Sequence, residues 1–249
     1  MKFGLIGYPI AHSLSPAVFK AGYNGKYPYE LIEEQDFETA YQKFLNGYDG
    51  INVTAPFKET ALKKAEIISE ECRTVGATNL LVKTSDGVTA YNSDYRGLVM
   101  LLKEITDQQL RVLIVGYGGA GKAAAAASDA LGHETVIMNR TQYSQDILPL
   151  DSFCEEFRKA DIIIYNLPVG IPQMDELTDD DFCPGRAKVL LEANYRNPSF
   201  DNCIIDRAKR VNPLFSQIEG KKWLLYQAVA GYELFTGEKP DLDRMSDVL

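Results

Sequence analysis

The sequence predicts an α/β protein of two domains, and three observations carry that reading. Short apolar strands alternate with helical stretches from the first residues onward, the pattern of a layered α/β architecture. At Arg111 the character changes to "RVLIVG", a continuous β-branched run of the kind buried on both faces of a parallel sheet. Helices and further apolar runs then alternate as in a doubly wound sheet. With 249 residues, 45% hydrophobic and 24% charged, the chain has an ordinary globular composition and the length for one large or two small domains.

The first domain opens with the strand "KFGLIG". A helix from about Ser15 to Tyr23 follows, with Pro16 suited to its first helical position. "YPYELIE" is the next strand, then a helix over Phe37 to Leu45 and the strand "GINVT". A helix is predicted around Glu59 to Ser69. "ATNLLVKT" and "VTAYN" read as a hairpin across Ser85, Asp86 and Gly87, and a helix from Tyr95 to Ile105 leads out. In the second domain "RVLIVG", "TVIMN", "ADIIIYNL" and "KVLLEANY" are strands separated by helices, and "WLLYQAVAGYELFTG" reads as a late strand or turn running into a helix. The boundary is placed near residue 103: residues 103–224 form the second domain, and about 225–249 return to residues 1–102.

The net charge is −9 and no run of Lys or Arg stands out, which argues against nucleic acid or an anionic membrane as partner. Any anionic ligand must then be held by a local cluster. Four cysteines (Cys72, Cys154, Cys183, Cys203) lie far apart with no C-x-x-C, and the chain has two histidines. Neither a zinc site nor a disulfide framework is expected, and no metal. Pro9 and His12 interrupt the N-terminal apolar run and no small-residue cleavage site follows, so this start reads as a strand and not as a signal peptide. "GKAAAAASDALG" is too short and too polar at its ends to span a bilayer. The expectation is a cytoplasmic protein, monomer or homodimer, acting on a small molecule.

Chemistry enters at Gly116-Tyr117-Gly118-Gly119-Ala120-Gly121, directly after a predicted strand and at the start of a helix. That context marks a dinucleotide loop. Gly116 permits the tight turn, Gly118 lets backbone approach a pyrophosphate, and Gly121 stands where close helix–strand packing leaves no room for a side chain. The helix N-terminus offers unpaired N–H groups and a partial positive charge to the anion. The next strand ends in Asn139-Arg140-Thr141. An NAD site commonly places Asp or Glu about 20 residues after the loop, on the ribose 2′-hydroxyl. A guanidinium there binds a 2′-phosphate instead, so Arg140 favours NADP over NAD.

Two stretches of the first domain carry further polar chemistry. In "HSLSP", Ser13 and Ser15 precede Pro16; one is suited to cap the helix, and both hydroxyls could face a polyol or carboxylate. In "NVTAPFKE", Lys58 follows a strand end and Pro56, and taken alone it reads as a surface lysine. Asp94 in "YNSDYRG" stands where it could cap the helix beginning at Tyr95 and serve a site as well.

Taken in order, "GYPIAHSLSP", "INVTAPFKE", "GATN", "YNSDYRG", "GYGGAGKA" with "NRT", and "YQAVAGYELFTG" resemble the motifs of shikimate dehydrogenases, and the likeness covers nearly the whole chain. The resemblance implies a substrate domain in two segments flanking a Rossmann domain that binds NADP. It also implies the reversible reduction of 3-dehydroshikimate by NADPH to shikimate, a step of aromatic amino acid biosynthesis. By the same likeness Ser13 and Ser15 bind the substrate carboxylate, while Thr54, Asn79 and Gln227 meet the ring hydroxyls. Lys58 and Asp94 match the catalytic pair, and Tyr195 a tyrosine that also reaches the substrate. Gly118, Gly119 and Ala120, with Asn139, Arg140 and Thr141, match cofactor positions, and Gly220 a glycine near the nicotinamide. Some positions depart from the family pattern. Ser144 stands where a second basic residue is frequent, Leu80 and Leu167 where Thr is common, and Glu192 where Asp is usual. Ser93 replaces Thr and keeps the hydroxyl.

Reducing a ketone needs a hydride at carbon and a proton at oxygen, and a nicotinamide supplies the first. A lysine supplies the second well when burial brings it toward neutral pH. A neighbouring carboxylate such as Asp94 instead holds it charged, as an anchor for the developing alkoxide. His12 abuts both serines and is read in a structural or supporting role, not as the acid. Two other readings stay open: a related dehydrogenase that also accepts quinate, with NAD, and a non-catalytic dinucleotide sensor. The two serines and Arg140 speak against the former, and the retained Lys58 and Asp94 against the latter.

Overall fold

The computed structural model describes residues 1–142 and 144–249. The chain divides into two compact units, Met1–Met100 with Leu224–Leu249, and Leu101–Trp223. Its elements, in chain order, begin β1 (Phe3–Gly7), α1 (Ser15–Gly22), β2 (Tyr29–Glu33), α2 (Phe37–Gly47), β3 (Gly50–Val53), α3 (Lys58–Leu62), β4 (Ile67–Ile68), α4 (Glu70–Val75), β5 (Leu80–Thr84), β6 (Gly87–Tyr91) and α5 (Ser93–Ile105). They continue with β7 (Arg111–Val115), α6 (Gly119–Ala130), β8 (Glu134–Met138), β9 (Ile147–Leu148), α7 (Phe153–Lys159), β10 (Ile162–Tyr165), β11 (Lys188–Glu192), α8 (Asn202–Val211), β12 (Phe215–Glu219), α9 (Gly220–Thr236) and α10 (Leu242–Ser246).

The first unit carries a six-stranded mixed sheet in the order β2-β1-β3-β5-β6-β4. β1 lies parallel to β2 and β3, whereas β5 runs antiparallel to β3 and β6. The expected hairpin closes at Thr84↔Gly87, with Gly87 at φ 123, a conformation open to glycine at little cost. Two apolar cores flank this sheet. One centres on Phe37, Tyr41, Phe44 and Phe57, the other on Phe3, Phe19, Tyr232 and Phe235.

The second unit's sheet runs β12-β11-β10-β7-β8-β9 and is parallel throughout. That is the doubly wound order, which reverses between β7 and β10. The β-branched runs are buried as their composition demands: Val112 to Val115 and Ile162 to Tyr165 expose no surface. Small side chains let α6 lie close on the sheet, with Ala123 to Ala127 all buried.

Two expectations about the elements are corrected. Glu59 to Ser69 is not one helix: α3 stops at Leu62 and Ile67–Ile68 pairs with β6. Glu66 N–H donates to the Val88 carbonyl at 3.0 Å and Ser69 N–H to that of Ala90 at 3.1 Å, so the β-branched pair gains an edge ladder that a helix would forgo. "WLLYQ" is helical throughout α9. The last strand instead precedes it as "FSQIE", whose polar residues suit a sheet edge and break the apolar run expected of a buried parallel strand.

The four cysteines are free. Among the described residues no group of three His, Cys, Asp or Glu could hold a metal ion, and no helix is long and apolar enough to cross a membrane.

Candidate active site

In the first unit, main-chain bonds lace the strand ends into one edge. Thr54 N–H donates to the Ile6 carbonyl at 3.0 Å, Val53 N–H to that of Asn79 at 2.8 Å, and Asn79 N–H to that of Tyr91 at 3.3 Å. The carboxyl ends of β1, β3 and β6 therefore meet the start of β5, and ligands of open α/β sheets sit beyond such an edge. Thr54, Lys58, Asn79 and Asp94 all adjoin it in the chain. A turn in which Phe57 N–H bonds the Thr54 carbonyl at 3.0 Å carries the chain from β3 into α3 and delivers Lys58.

Lys58 is not the solvated charge it resembles in isolation. Its Nζ donates to Asp94 Oδ2 at 2.5 Å, with 23% and 16% of the two side chains exposed. A pair this sheltered interacts more strongly than one on an open surface. The capping role considered for Asp94 is corrected: α5 begins at Ser93, two residues earlier than expected, and Asn92 Oδ1 caps it by accepting from Tyr95 N–H at 3.0 Å. Asp94 lies in the first helical turn and its carboxylate is given to Lys58. The asparagine before the helix was itself an available cap signal.

Ser13 and Ser15 sit between β1 and α1 with their hydroxyl oxygens 3.1 Å apart, and Ser15 N–H donates to Ser13 Oγ at 3.2 Å. Neither serine caps α1, whose cap position is Leu14 and makes no side-chain bond. Both serines are partly exposed as a pair. Tyr232 of α9 supports them from behind, its OH donating to the Ser15 carbonyl at 3.3 Å, and burial raises that phenol well above its usual range. His12 is exposed in the preceding turn.

Asn79 and Gln227 are joined through Ser93, which composition alone does not single out. Asn79 Oδ1 accepts from Ser93 N–H at 2.7 Å while its Nδ2 donates to Ser93 Oγ at 3.0 Å. Ser93 Oγ donates to Gln227 Oε1 at 3.1 Å.

The second unit holds the glycine loop. Gly116 has φ 92, which side-chain-bearing residues rarely adopt. A Cβ on Gly121 would lie 1.9 Å from the Gly116 carbonyl oxygen, so the first turn of α6 folds back onto the loop itself. A Cβ on Gly118 would meet nothing within 4 Å, which leaves open space over this backbone. The N–H groups of Gly119, Ala120 and Gly121 open α6 and have no partner within it. Asn166, just past β10, has a buried Oδ1 with no hydrogen-bond partner among the described residues, and it flanks Gly116. An open backbone cradle beside an orphaned acceptor at the switch point fits a dinucleotide.

Asn139 is buried and its side chain is spent on the protein. Oδ1 accepts from Tyr117 N–H at 3.1 Å and Nδ2 donates to the Thr141 carbonyl at 2.8 Å, tying the glycine loop to the turn that presents exposed Arg140 and Thr141. Gly220 starts α9, where a Cβ would lie 2.5 Å from the Glu192 carbonyl oxygen; packing alone requires a glycine there. Tyr195 belongs to this unit, partly buried with the Arg196 guanidinium over its ring. Its loop is pinned by Glu192, which accepts from the N–H groups of Ser199 and Phe200, while burial raises the carboxyl above its usual range.

A family model described as the shikimate dehydrogenase substrate binding domain matches residues 5–81. An NADP(+) shikimate dehydrogenase of Caldanaerobacter subterraneus subsp. tengcongensis is 30% identical over 266 residues, covering 97% of this chain and 93% of that protein. One from Bacillus subtilis is 27% identical, covering 99% and 95%. Among solved structures, shikimate 5-dehydrogenase from Thermus thermophilus, in complex with NADP(H) and shikimate, superposes with TM-score 0.84 at 24% identity over 100% and 98% of the two chains. Quinate dehydrogenase from Corynebacterium glutamicum, in complex with NAD, reaches 0.83 at 23% over 100% and 98%. At such identities the structural likeness shows the fold, which both activities share. The near full-length match at 30% identity shows more: the chain belongs to the shikimate dehydrogenase family.

Proposed function

We propose that this chain catalyses the reversible NADPH-dependent reduction of 3-dehydroshikimate to shikimate, with Lys58 and Asp94 handling the proton. The observation that carries the proposal is the sheltered Lys58–Asp94 pair, 2.5 Å apart at the carboxyl edge of the first unit's sheet. NADPH, when bound, supplies the hydride. The chain's own residues do the rest. Ser13 and Ser15, with hydroxyls 3.1 Å apart, offer one donor to each oxygen of the substrate carboxylate. Thr54, Asn79 and Gln227 hold the ring hydroxyls. Lys58 Nζ meets the carbonyl oxygen, stabilises the negative charge that grows there and gives it a proton. Asp94 keeps Nζ in place and charged until that transfer. Tyr195 also binds the substrate.

Gly116, Gly118, Gly119 and Ala120 hold the pyrophosphate of NADP, with Gly220 near the nicotinamide. Asn139 aims the turn from which Arg140 and Thr141 reach the 2′-phosphate. Support for NADP comes from this exposed guanidinium at the strand end, in the stretch Asn139-Arg140-Thr141, which has an arginine and neither Asp nor Glu. Residues 1–102 with about 225–249 act as the substrate domain and residues 103–224 as the cofactor domain. We place the enzyme in the cytoplasm, as a monomer or homodimer without nucleic-acid or membrane partners.

The test is NADPH oxidation with 3-dehydroshikimate, run beside NADH and beside 3-dehydroquinate. Turnover is expected to be fastest with NADPH and 3-dehydroshikimate. Comparable rates with NADH would remove the role given to Arg140, and activity only with 3-dehydroquinate would replace the substrate.

A further inference from the structure

The bonds joining Asn79, Ser93 and Gln227 admit a single set of directions. The backbone N–H of Ser93 can only donate, so the side-chain atom 2.7 Å from it must be Asn79 Oδ1. Asn79 Nδ2 then faces Ser93 Oγ at 3.0 Å. An amide nitrogen cannot accept, so the hydroxyl accepts there and sends its one proton to Gln227 Oε1 at 3.1 Å. The far end is set independently, because Gln227 Nε2 donates to the Leu224 carbonyl at 3.0 Å, and a carbonyl can only accept. Main-chain groups thus anchor the chain of bonds at both ends. Flipping the Asn79 amide would set Nδ2 against the Ser93 N–H, donor against donor, and flipping that of Gln227 would set Oε1 against the Leu224 carbonyl, acceptor against acceptor, in a place where Ser93 exposes no surface to water.

Close helix packing brings the three groups together. A Cβ on Gly97 of α5 would lie 2.5 Å from the Gln227 backbone nitrogen, and one on Gly231 of α9 would lie 3.1 Å from Ser93 Oγ. The hydroxyl therefore sits where the two helices approach within backbone contact. There it both accepts from Asn79 and donates to Gln227.

We propose that Ser93 is a positioning residue that fixes the amides of Asn79 and Gln227 as hydrogen-bond donors toward the substrate. After its bond within the protein, each amide nitrogen keeps one further N–H. The substrate hydroxyls at these two positions are accordingly held through their oxygen lone pairs. This rests on the reading of Asn79 and Gln227 as substrate ligands given above.

Four full-length proteins test it in the NADPH-oxidation assay: Ser93→Ala, Ser93→Thr, Ser93→Val and the unaltered chain. Removing the hydroxyl is expected to raise KM for 3-dehydroshikimate about tenfold or more, the effect of losing one to two net hydrogen bonds. The fall in kcat should be smaller, and KM for NADPH should stay within about twofold. Ser93→Thr should restore the substrate KM. Threonine and valine share a shape and differ by the hydroxyl, so this pair decides the matter even if Ser93→Ala fails to fold. Equal substrate KM in the Thr and Val variants would overturn the proposal, as would a parallel rise in KM for NADPH. A chain that turns over 3-dehydroshikimate normally but ignores the loss of the hydroxyl refutes the positioning role alone. No turnover in the unaltered chain refutes the functional reading and the proposal with it.

Discussion

Replacing Lys58 with alanine will lower kcat at least about 100-fold, while KM for 3-dehydroshikimate changes less, since a positioned proton donor is typically worth about 10² to 10⁴ in rate. The asymmetry follows from where the charge develops. The ground-state ketone is neutral and gains little from the ammonium, whereas the transition state places negative charge on the oxygen that Lys58 is proposed to meet. Truncation also leaves Asp94, with only 16% of its side chain exposed, without the lysine's charge, so thermal unfolding should be followed alongside. A loss of turnover without a matching loss of folded protein is the expected pattern. Near-normal turnover would remove Lys58 from the chemistry.

The second large effect is expected in the glycine loop, where two single-methyl changes should behave differently. Gly121→Ala forces a Cβ to within 1.9 Å of the Gly116 carbonyl oxygen. The Cβ is fixed in place by its own backbone and the oxygen is main chain, so α6 or the loop must move. We expect a destabilisation of about 1–3 kcal/mol, as for other overpacked sites, together with a loss of NADPH binding. Gly118→Ala meets nothing within 4 Å and has φ −80, which alanine adopts freely. Its Tm should be unchanged while KM for NADPH rises about tenfold or more, because the methyl fills the space that a pyrophosphate needs. Thermal unfolding and NADPH titration of the two variants separate these outcomes. A Gly118→Ala enzyme with normal NADPH affinity would show that the cofactor does not approach there.

How much of this was legible in the sequence depends on whether the signal was local. The β7 and β10 runs were readable because both faces of a central parallel strand are buried and the residues are apolar throughout. β12 escaped because an edge strand mixes polar and apolar residues. The Ile67–Ile68 strand escaped because two residues carry no period of their own; only pairing with β6 reveals them. In the site, the resemblance pointed to Lys58 and Asp94, but their 2.5 Å contact bridges 36 residues of chain and no local pattern encodes it. Ser93 was visible as a retained hydroxyl, yet its bond to Gln227 spans 134 residues. Lys188 shows the same limit in the second core. It reads as an ordinary strand-start lysine, but it is fully buried, donates to the carbonyls of Phe157 and Ala160 at 2.6 Å, and is pulled down to about 8 by burial.

The claim that Lys58 and Asp94 act as one unit is tested most directly by a double-mutant cycle on kcat with 3-dehydroshikimate and NADPH. The variants are Lys58→Ala, Asp94→Ala and the double variant, compared with the unaltered chain. If Asp94 works by holding Lys58, the double variant will be no slower than the slower single one, because residues that act together lose their function together. If the two losses multiply, the residues act independently and the paired mechanism is wrong.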